Sequence, residues 1–174
     1  TDADVRVLAF DSIGNLYAGG VFTSIGGVSA NRIAKWSGGW SPLGGGVNNA
    51  VYDLAFDSSG NLYVGGAFTS AGTTTTNCVA KWNGSAWSGL GSGVDSTVTA
   101  LAVDSSGNLY AGGTFTSASG TTANRVAKWN GSAWSALGGG ITTTSSYVWA
   151  LAFDSSGNLY AGRSEEHTSE LQSH

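Results

Sequence analysis

The stretch VYDLAFDSSGNLYVGGAFTSAGTTTTNCVAKWNGSAWSGLGSGV, Val51 to Val94, decides how the chain is read, because most of the remaining sequence copies it. VRVLAFDSIGNLYAGGVFTS starts at Val5, VTALAVDSSGNLYAGGTFTS starts at Val98, and a fourth copy starts at Val148 and breaks off after Gly162. The aspartates Asp11, Asp57, Asp104 and Asp154 recur at intervals of 46, 47 and 50 residues. That period signals a propeller or solenoid, in which each unit buries its faces only against its neighbours.

Each copy divides into four strand candidates. The first, Val5 to Phe10 with copies from Val51, Val98 and Val148, is mostly apolar with little alternation. This suits a strand covered on both faces, innermost beside an axis. The following turn, Asp11-Ser12-Ile13-Gly14-Asn15 and its copies, has hairpin chemistry: Asp accepts from backbone N–H groups just ahead, Gly takes positive φ, and Asn tolerates the left-handed region. Asp, Ser and Asn also supply oxygens for calcium, but an EF-type loop needs about 12 residues and a bidentate Glu.

The second strand, from Leu16, carries Gly19-Gly20, repeated as Gly65-Gly66 and Gly112-Gly113. Glycine reused at one strand register implies a bulge or a neighbour too close for a Cβ. No helix start follows these pairs, so a phosphate cradle is disfavoured. A variable Gly, Ser and Thr loop leads to the third strand, ending at Trp36, Trp82 and Trp129, and then to the fourth, starting at Trp40, Trp87 and Trp134. Asn83-Gly84 and Asn130-Gly131 between them suit a two-residue type I′ turn. They also match glycosylation sequons, although the turn accounts for them without a sugar.

An apolar strand, a Gly-Gly pair and two spaced aromatics, as in LYVGG…KWNGSAW, resemble a kelch-type β-propeller blade. The GG-F-T and W-S-x-L-G-x-G elements resemble Rax2-like repeats, and LAFDSSGNLY is similar to NHL-type propellers. The resemblance covers residues 5 to 162. It implies an all-β propeller of four-stranded antiparallel blades with a general role in binding; a few propellers of this kind are enzymes or lectins. Trp36, Trp82 and Trp129 stand where kelch repeats usually carry Tyr. The expected blades are 5–50, 51–97 and 98–147, with 148–162 giving the first two strands of a fourth.

About three and a half blades are fewer than closed propellers contain. The chain is therefore expected to be a truncated arc that self-associates through open blade edges. Its tail, 163–174, holds both histidines and every glutamate and reads as non-native or disordered sequence; it resembles the translation of a sequencing adapter. A metal site from Glu165, Glu166, His167 and His174 is the competing reading. No cofactor is expected.

Composition excludes several functions. A net charge of −4 without a basic stripe argues against nucleic acid. No apolar run approaches the roughly 20 residues of a membrane helix. Cys78, the single cysteine, excludes an intrachain disulfide and reads as a small buried or half-buried residue. With no His or Glu before the tail and most Asp in turns, an enzyme is disfavoured.

Six of the seven tryptophans fall at two repeat positions. At roughly 150–250 Å² each they read as packing residues between sheets. Lys35, Lys81 and Lys128 read as a solvated outer face that protects an edge. Trp149 differs: its counterparts are Arg6, Tyr52 and Thr99. Variation in a copied strand marks an exposed rim, so Tyr52, Asp53 and Trp149 are the candidate binding surface. The expected function is a non-catalytic scaffold binding a protein, with a carbohydrate-binding, lectin-like propeller as the alternative. The style of the repeats suggests a bacterial, extracellular or cell-surface protein of metagenomic type.

Overall fold

The computed structural model describes residues 1–142 and 147–163, together with the backbone of 169–171. It is all-β. Three four-stranded antiparallel sheets follow one another, each in simple order from first to fourth strand. In the first, Val5–Phe10, Leu16–Gly20, Ile33–Trp36 and Trp40–Pro42 pair in turn. The second runs from Val51–Phe56 to Trp87–Gly89, and the third from Val98–Val103 to Trp134–Ala136. The last sheet pairs Val148–Phe153 with Leu159–Arg163, and Ser169–Leu171 then pairs with Leu159–Ala161. Part of the tail expected to be disordered thus forms a third strand; the proposed metal ligands Glu165, Glu166, His167 and His174 lie outside the described residues.

The apolar cores sit between successive sheets. One joins Tyr17, Ile33 and Leu43 of the first sheet to Val51, Leu54 and Trp87 of the second. The next joins Tyr63, Val79 and Leu90 to Val98, Leu101 and Trp134. Each sheet therefore needs its neighbour to bury its face, as expected of repeat architectures. The first strands of consecutive sheets pack on one another, which places them innermost. They are only partly covered, however. The fully buried strand is the second, at Leu62–Gly66 and Leu109–Gly113, because it lies between two strands in its own sheet and between two sheets.

The glycine pairs serve both roles expected of them. Opposite each pair the first strand bulges, with the register slipping between Val5 and Val7, Val51 and Asp53, and Val98 and Ala100, and the last sheet bulges likewise between Val148 and Ala150 opposite Gly162-Arg163. A Cβ on Gly20, Gly66 or Gly113 would run into the carbonyl oxygen of Asp4, Ala50 or Thr97. A Cβ on Gly19, Gly65 or Gly112 would lie only 2.5–2.7 Å from Cγ1 of Val51, Val98 or Val148 in the next sheet.

The Asp turns are closed by side chains. Asp11 Oδ1 accepts from the Asn15 and Ile13 amides at 2.8 and 3.2 Å, and its Oδ2 accepts from Asn15 Nδ2 at 2.7 Å. Asp57, Asp104 and Asp154 repeat the pattern. These carboxylates are thus engaged by the chain's own donors rather than held open for calcium. Lys35 and Lys128 approach the Asp11 and Asp104 carboxylates at 3.9 Å, and Lys35, Lys81 and Lys128 lie over the Tyr17, Tyr63 and Tyr110 rings. The lysines are half-buried rather than an outer solvated face, because Tyr17 and Lys35 are cross-strand partners on one side of the sheet.

Burial opposes ionisation of Asp11 and Asp104, but the Asn15 and Asn108 hydrogen bonds outweigh it and hold both carboxyls below their usual range. In Asp154 the Asn158 bonds act in the same direction. A depressed folded pKa gives stability present above the unfolded value near 4 and lost as pH falls through the folded one. The urea midpoint is therefore expected to fall between pH 5 and 2. Asp104→Asn is expected to flatten that fall while lowering the midpoint at pH 7.

Two local expectations change. The type I′ turn is replaced by a four-residue loop, since Trp82 pairs with Trp87 and Asn83 N donates to Ala86 O at 3.2 Å. Asn83 acts through its side chain, accepting from the Ser85 and Ala86 amides, and only Gly84 takes positive φ. The variable loops after each Gly-Gly pair are also ordered. Ser24–Ile25 with Val28–Ser29, Ser70–Ala71 with Thr74–Thr75, and Ser117–Ala118 with Thr121–Thr122 form short hairpins. Asp2, Asn48 and Asp95 clasp them by accepting from the amides of Thr23, Thr69 and Thr116.

Candidate functional site

The bulge on each first strand adds one residue that has no opposite number on the second strand. Those residues are Arg6, Tyr52, Thr99 and Trp149, four chemistries at one position of an otherwise copied strand. Because first strands of consecutive sheets adjoin, the bulges form a row at the end of the inner strands opposite the Asp turns. Arg6 places its guanidinium 4.8 Å from the centre of the Tyr52 ring. The Thr99 hydroxyl donates to the Val148 carbonyl, tying the third bulge to the fourth sheet. Trp149 is 54% exposed and meets Tyr147 edge-on, with ring centres 4.4 Å apart.

Asp53, the next residue of the second bulge, is used internally. Its Oδ1 accepts from Leu54 N at 2.8 Å and its Oδ2 from Leu101 N at 2.7 Å, across to the following sheet. Burial pushes its pKa up, against the opposing effect of those two amides. The row available to a ligand is therefore Arg6, half-exposed Tyr52, Tyr147 and Trp149. Arg6 and Thr99 were visible in the sequence as counterparts of Tyr52. Tyr147 was missed, and its signal was the same: it aligns with Asp4, Ala50 and Thr97.

The repeated tryptophans divide by position. Trp87 and Trp134 are buried, and their Nε1 groups donate to the carbonyls of Leu43 and Leu90 in the preceding repeat, at 3.1 and 2.8 Å. Trp82 and Trp129 pack against them with ring centres 5.1 and 5.5 Å apart, and Trp36 meets Trp40 likewise. Trp36 is 42% exposed. At the turn end, a cavity of about 400 Å³ lies between Asp104 and Asp154 beside Tyr110 and Phe153, whose rings meet edge-on.

Among the described residues no cluster of three His, Cys, Asp or Glu could hold a metal. Cys78 is buried, and its thiol is pushed up to about 11 by burial and then by the Asp95 charge. It is expected to react with a thiol reagent at pH 8 on the order of 100-fold more slowly in the folded chain than in urea. Stopped-time labelling read by mass spectrometry would show this.

Residues 40–170 match the family model of the Rax2 C-terminal beta propeller domain. The chain belongs to that family. No curated protein matches it. Among solved structures, the Rax2-family chain is similar to the extracellular domain of the one-component system BT4673 of B. thetaiotaomicron, with 18% identity and a TM-score of 0.60. That likeness covers 92% of this chain and 20% of the other. It is also similar to PorZ, a surface component of the type-IX secretion system of Porphyromonas gingivalis, with 15% identity, a TM-score of 0.51 and coverage of 92% and 25%. At such identities the likeness shows the propeller fold. The chain spans a fifth to a quarter of those proteins. No helix among its described residues is long and apolar enough to cross a membrane.

Proposed function

We propose that this Rax2-family propeller is a non-catalytic binding module that recognises a protein partner through the row of bulge residues. The observation that carries the reading is Trp149, more than half exposed against Tyr147 at a repeat position where the other copies hold Arg6, Tyr52 and Thr99. Constant positions have packing tasks; this one is free to vary, and it collects aromatic groups and an arginine, the residue types enriched at binding hot spots. The absence of His and Glu before the tail supports a role without acid–base chemistry. Similarity to extracellular and surface-exposed bacterial domains supports a place outside the cell. The exposed Trp149 indole also favours a second reading, an aromatic face for stacking a sugar ring.

A glycan array and a panel of secreted and surface proteins, probed with the same labelled chain, separate the two. Protein binding with a silent array supports the first reading, and array binding the second. In either case Trp149→Ala is expected to weaken binding by at least tenfold while shifting stability by less than about 1 kcal/mol, since the side chain is largely exposed. Binding unchanged in Trp149→Ala and Arg6→Ala would remove the row from consideration.

A further inference from the structure

Two polar pockets open at equivalent places, where the link out of one blade meets the short hairpin of the next. The first, of about 300 Å³, is lined by Asn31, Arg32, Gly45, Asn48, Ser70 and Gly72. The second, of about 150 Å³, is lined by the counterparts Asn77, Ser92, Asp95, Ser117 and Ser119. Their frames match. Asn31 Nδ2 donates to Gly45 O and Asn77 Nδ2 to Ser92 O, both at 3.0 Å, and the Gly72 and Ser119 amides donate to Gly46 O and Gly93 O at 2.7 and 2.8 Å. One oxygen distinguishes them. In the second pocket the Ser119 hydroxyl accepts from the Ser92 amide at 3.0 Å. In the first that residue is Gly72, and the Gly45 amide, the counterpart of Ser92 N, donates to no protein atom among the described residues. The second pocket thus fills an oxygen position from its own chain, and the first leaves that position to a ligand.

Charge differs as well. The guanidinium of half-buried Arg32 has no hydrogen-bond or ionic partner among the described residues, whereas Arg125, at the same position of the third repeat, donates to Ile141 O at 2.8 Å. The second repeat has buried Cys78 there, and its pocket carries Asp95 in place of Asn48. No acidic side chain lines the first pocket. A guanidinium and an amide N–H lining one cavity suit a carboxylate. The Ser70 hydroxyl and Asn31 Oδ1 are also without protein partners and match the hydroxyls of a sugar ring. A free amino acid fits less well, since no lining carboxylate would meet its ammonium. We propose that the Arg32 pocket binds a uronic acid, its carboxylate on Arg32 and the Gly45 amide and its ring hydroxyls toward Ser70 and Asn31. The site uses none of the bulge residues and stands independently of them.

The test is a nuclear magnetic resonance titration of the folded chain with sodium glucuronate at constant ionic strength. The Gly45 amide and the Arg32 side chain are expected to shift saturably, with a dissociation constant on the order of 1 mM. The Ser92 amide, already engaged by Ser119, is expected to stay unmoved. Glucose, which lacks the carboxylate, and acetate, which lacks the ring, are each expected to bind at least tenfold more weakly. Arg32→Asn removes the charge with a residue that tolerates the left-handed backbone, and is expected to weaken glucuronate at least tenfold. The triple variant Cys78→Arg, Asp95→Asn, Ser119→Gly gives the second pocket the side chains of the first, and its Ser92 amide is expected to respond to glucuronate. Circular dichroism checks that each variant folds; if the triple variant does not, Arg32→Asn decides alone, Cys78 showing that a small side chain is accommodated at that position. No saturable shift at Gly45, or equal affinity in Arg32→Asn, overturns the proposal. Acetate binding as tightly as glucuronate overturns the sugar, and so does a response to acidic peptides without one to glucuronate. Glucose binding as tightly overturns the role of the carboxylate.

Discussion

Trp134→Ala is expected to lower the unfolding free energy by about 3–5 kcal/mol, as truncation of a large buried aromatic does. The side chain is 6% exposed and packs in the core shared by the second and third blades. Its Nε1 also donates 2.8 Å to Leu90 O, so truncation removes an inter-blade hydrogen bond together with the apolar contact. Leu90 O keeps the Gly93 amide at 3.1 Å and is not left without a donor. Cavity formation should therefore dominate the loss. Trp134→Phe separates the two contributions: it keeps most of the ring area and is expected to cost about 1–2 kcal/mol. Urea unfolding followed by circular dichroism measures both. A Trp134→Ala loss below 1 kcal/mol would show that the blades are not fastened at this residue.

The second large effect concerns the glycine notches. Gly112→Ala is expected to cost about 2–3 kcal/mol, because its Cβ would lie 2.5 Å from Val148 Cγ1 and 3.0 Å from Val148 Cβ. Val148 is fully buried and belongs to the next blade, so the strain is relieved only by parting the blades. Gly162→Ala is the matched control. It has the same repeat position and the same strand, but its nearest neighbour would be at ordinary contact distance, 3.5 Å. It is expected to be neutral, or stabilising by up to about 1 kcal/mol through the unfolded chain. Equal effects in the two variants would mean that glycine is kept for backbone freedom rather than for space.

The blades were legible because the repeat reports each decision several times over. Strand order, the Asp turns and the crowding at Gly-Gly could all be read from residue types whose physics is local. The readings that changed depended on which atom of a residue is used. Asn83 suggested a backbone taking positive φ, yet it serves as a side-chain acceptor, and the loop lengthens to suit it. A left-handed conformation also falls on Arg32, with φ of 62°, beside Asn31, whose Nδ2 donates to Gly45 O. Cys78 and Arg125 adopt the same conformation, although neither residue type signals it. Backbone bonds on both sides impose it: Cys78 N donates to Phe68 O and its carbonyl accepts from Gly66 N.

The candidate site was half legible. Variation at Tyr52 and Trp149 pointed to the bulge row, since a position that escapes copying has no shared packing task. The same logic could not separate Asp53, whose carboxylate reaches Leu101 N in the next repeat. That contact spans 48 residues of sequence and needs the bulge to exist. The half-burial of the lysines was hidden for a related reason: alternation places them on a face, but not against the Tyr rings.

The tryptophan link has a consequence for how such genes change length. Trp87 binds Leu43 O and Trp134 binds Leu90 O, while Val51 and Val98 enter equivalent notches. These two junctions are thus made of the same parts, half from one repeat and half from the next. Deleting residues 51–97 would set Trp134 against Leu43 and Val98 against Gly19, a junction chemically equivalent to those it replaced. Unequal recombination between repeats can therefore add or remove whole blades without requiring any new interface to evolve.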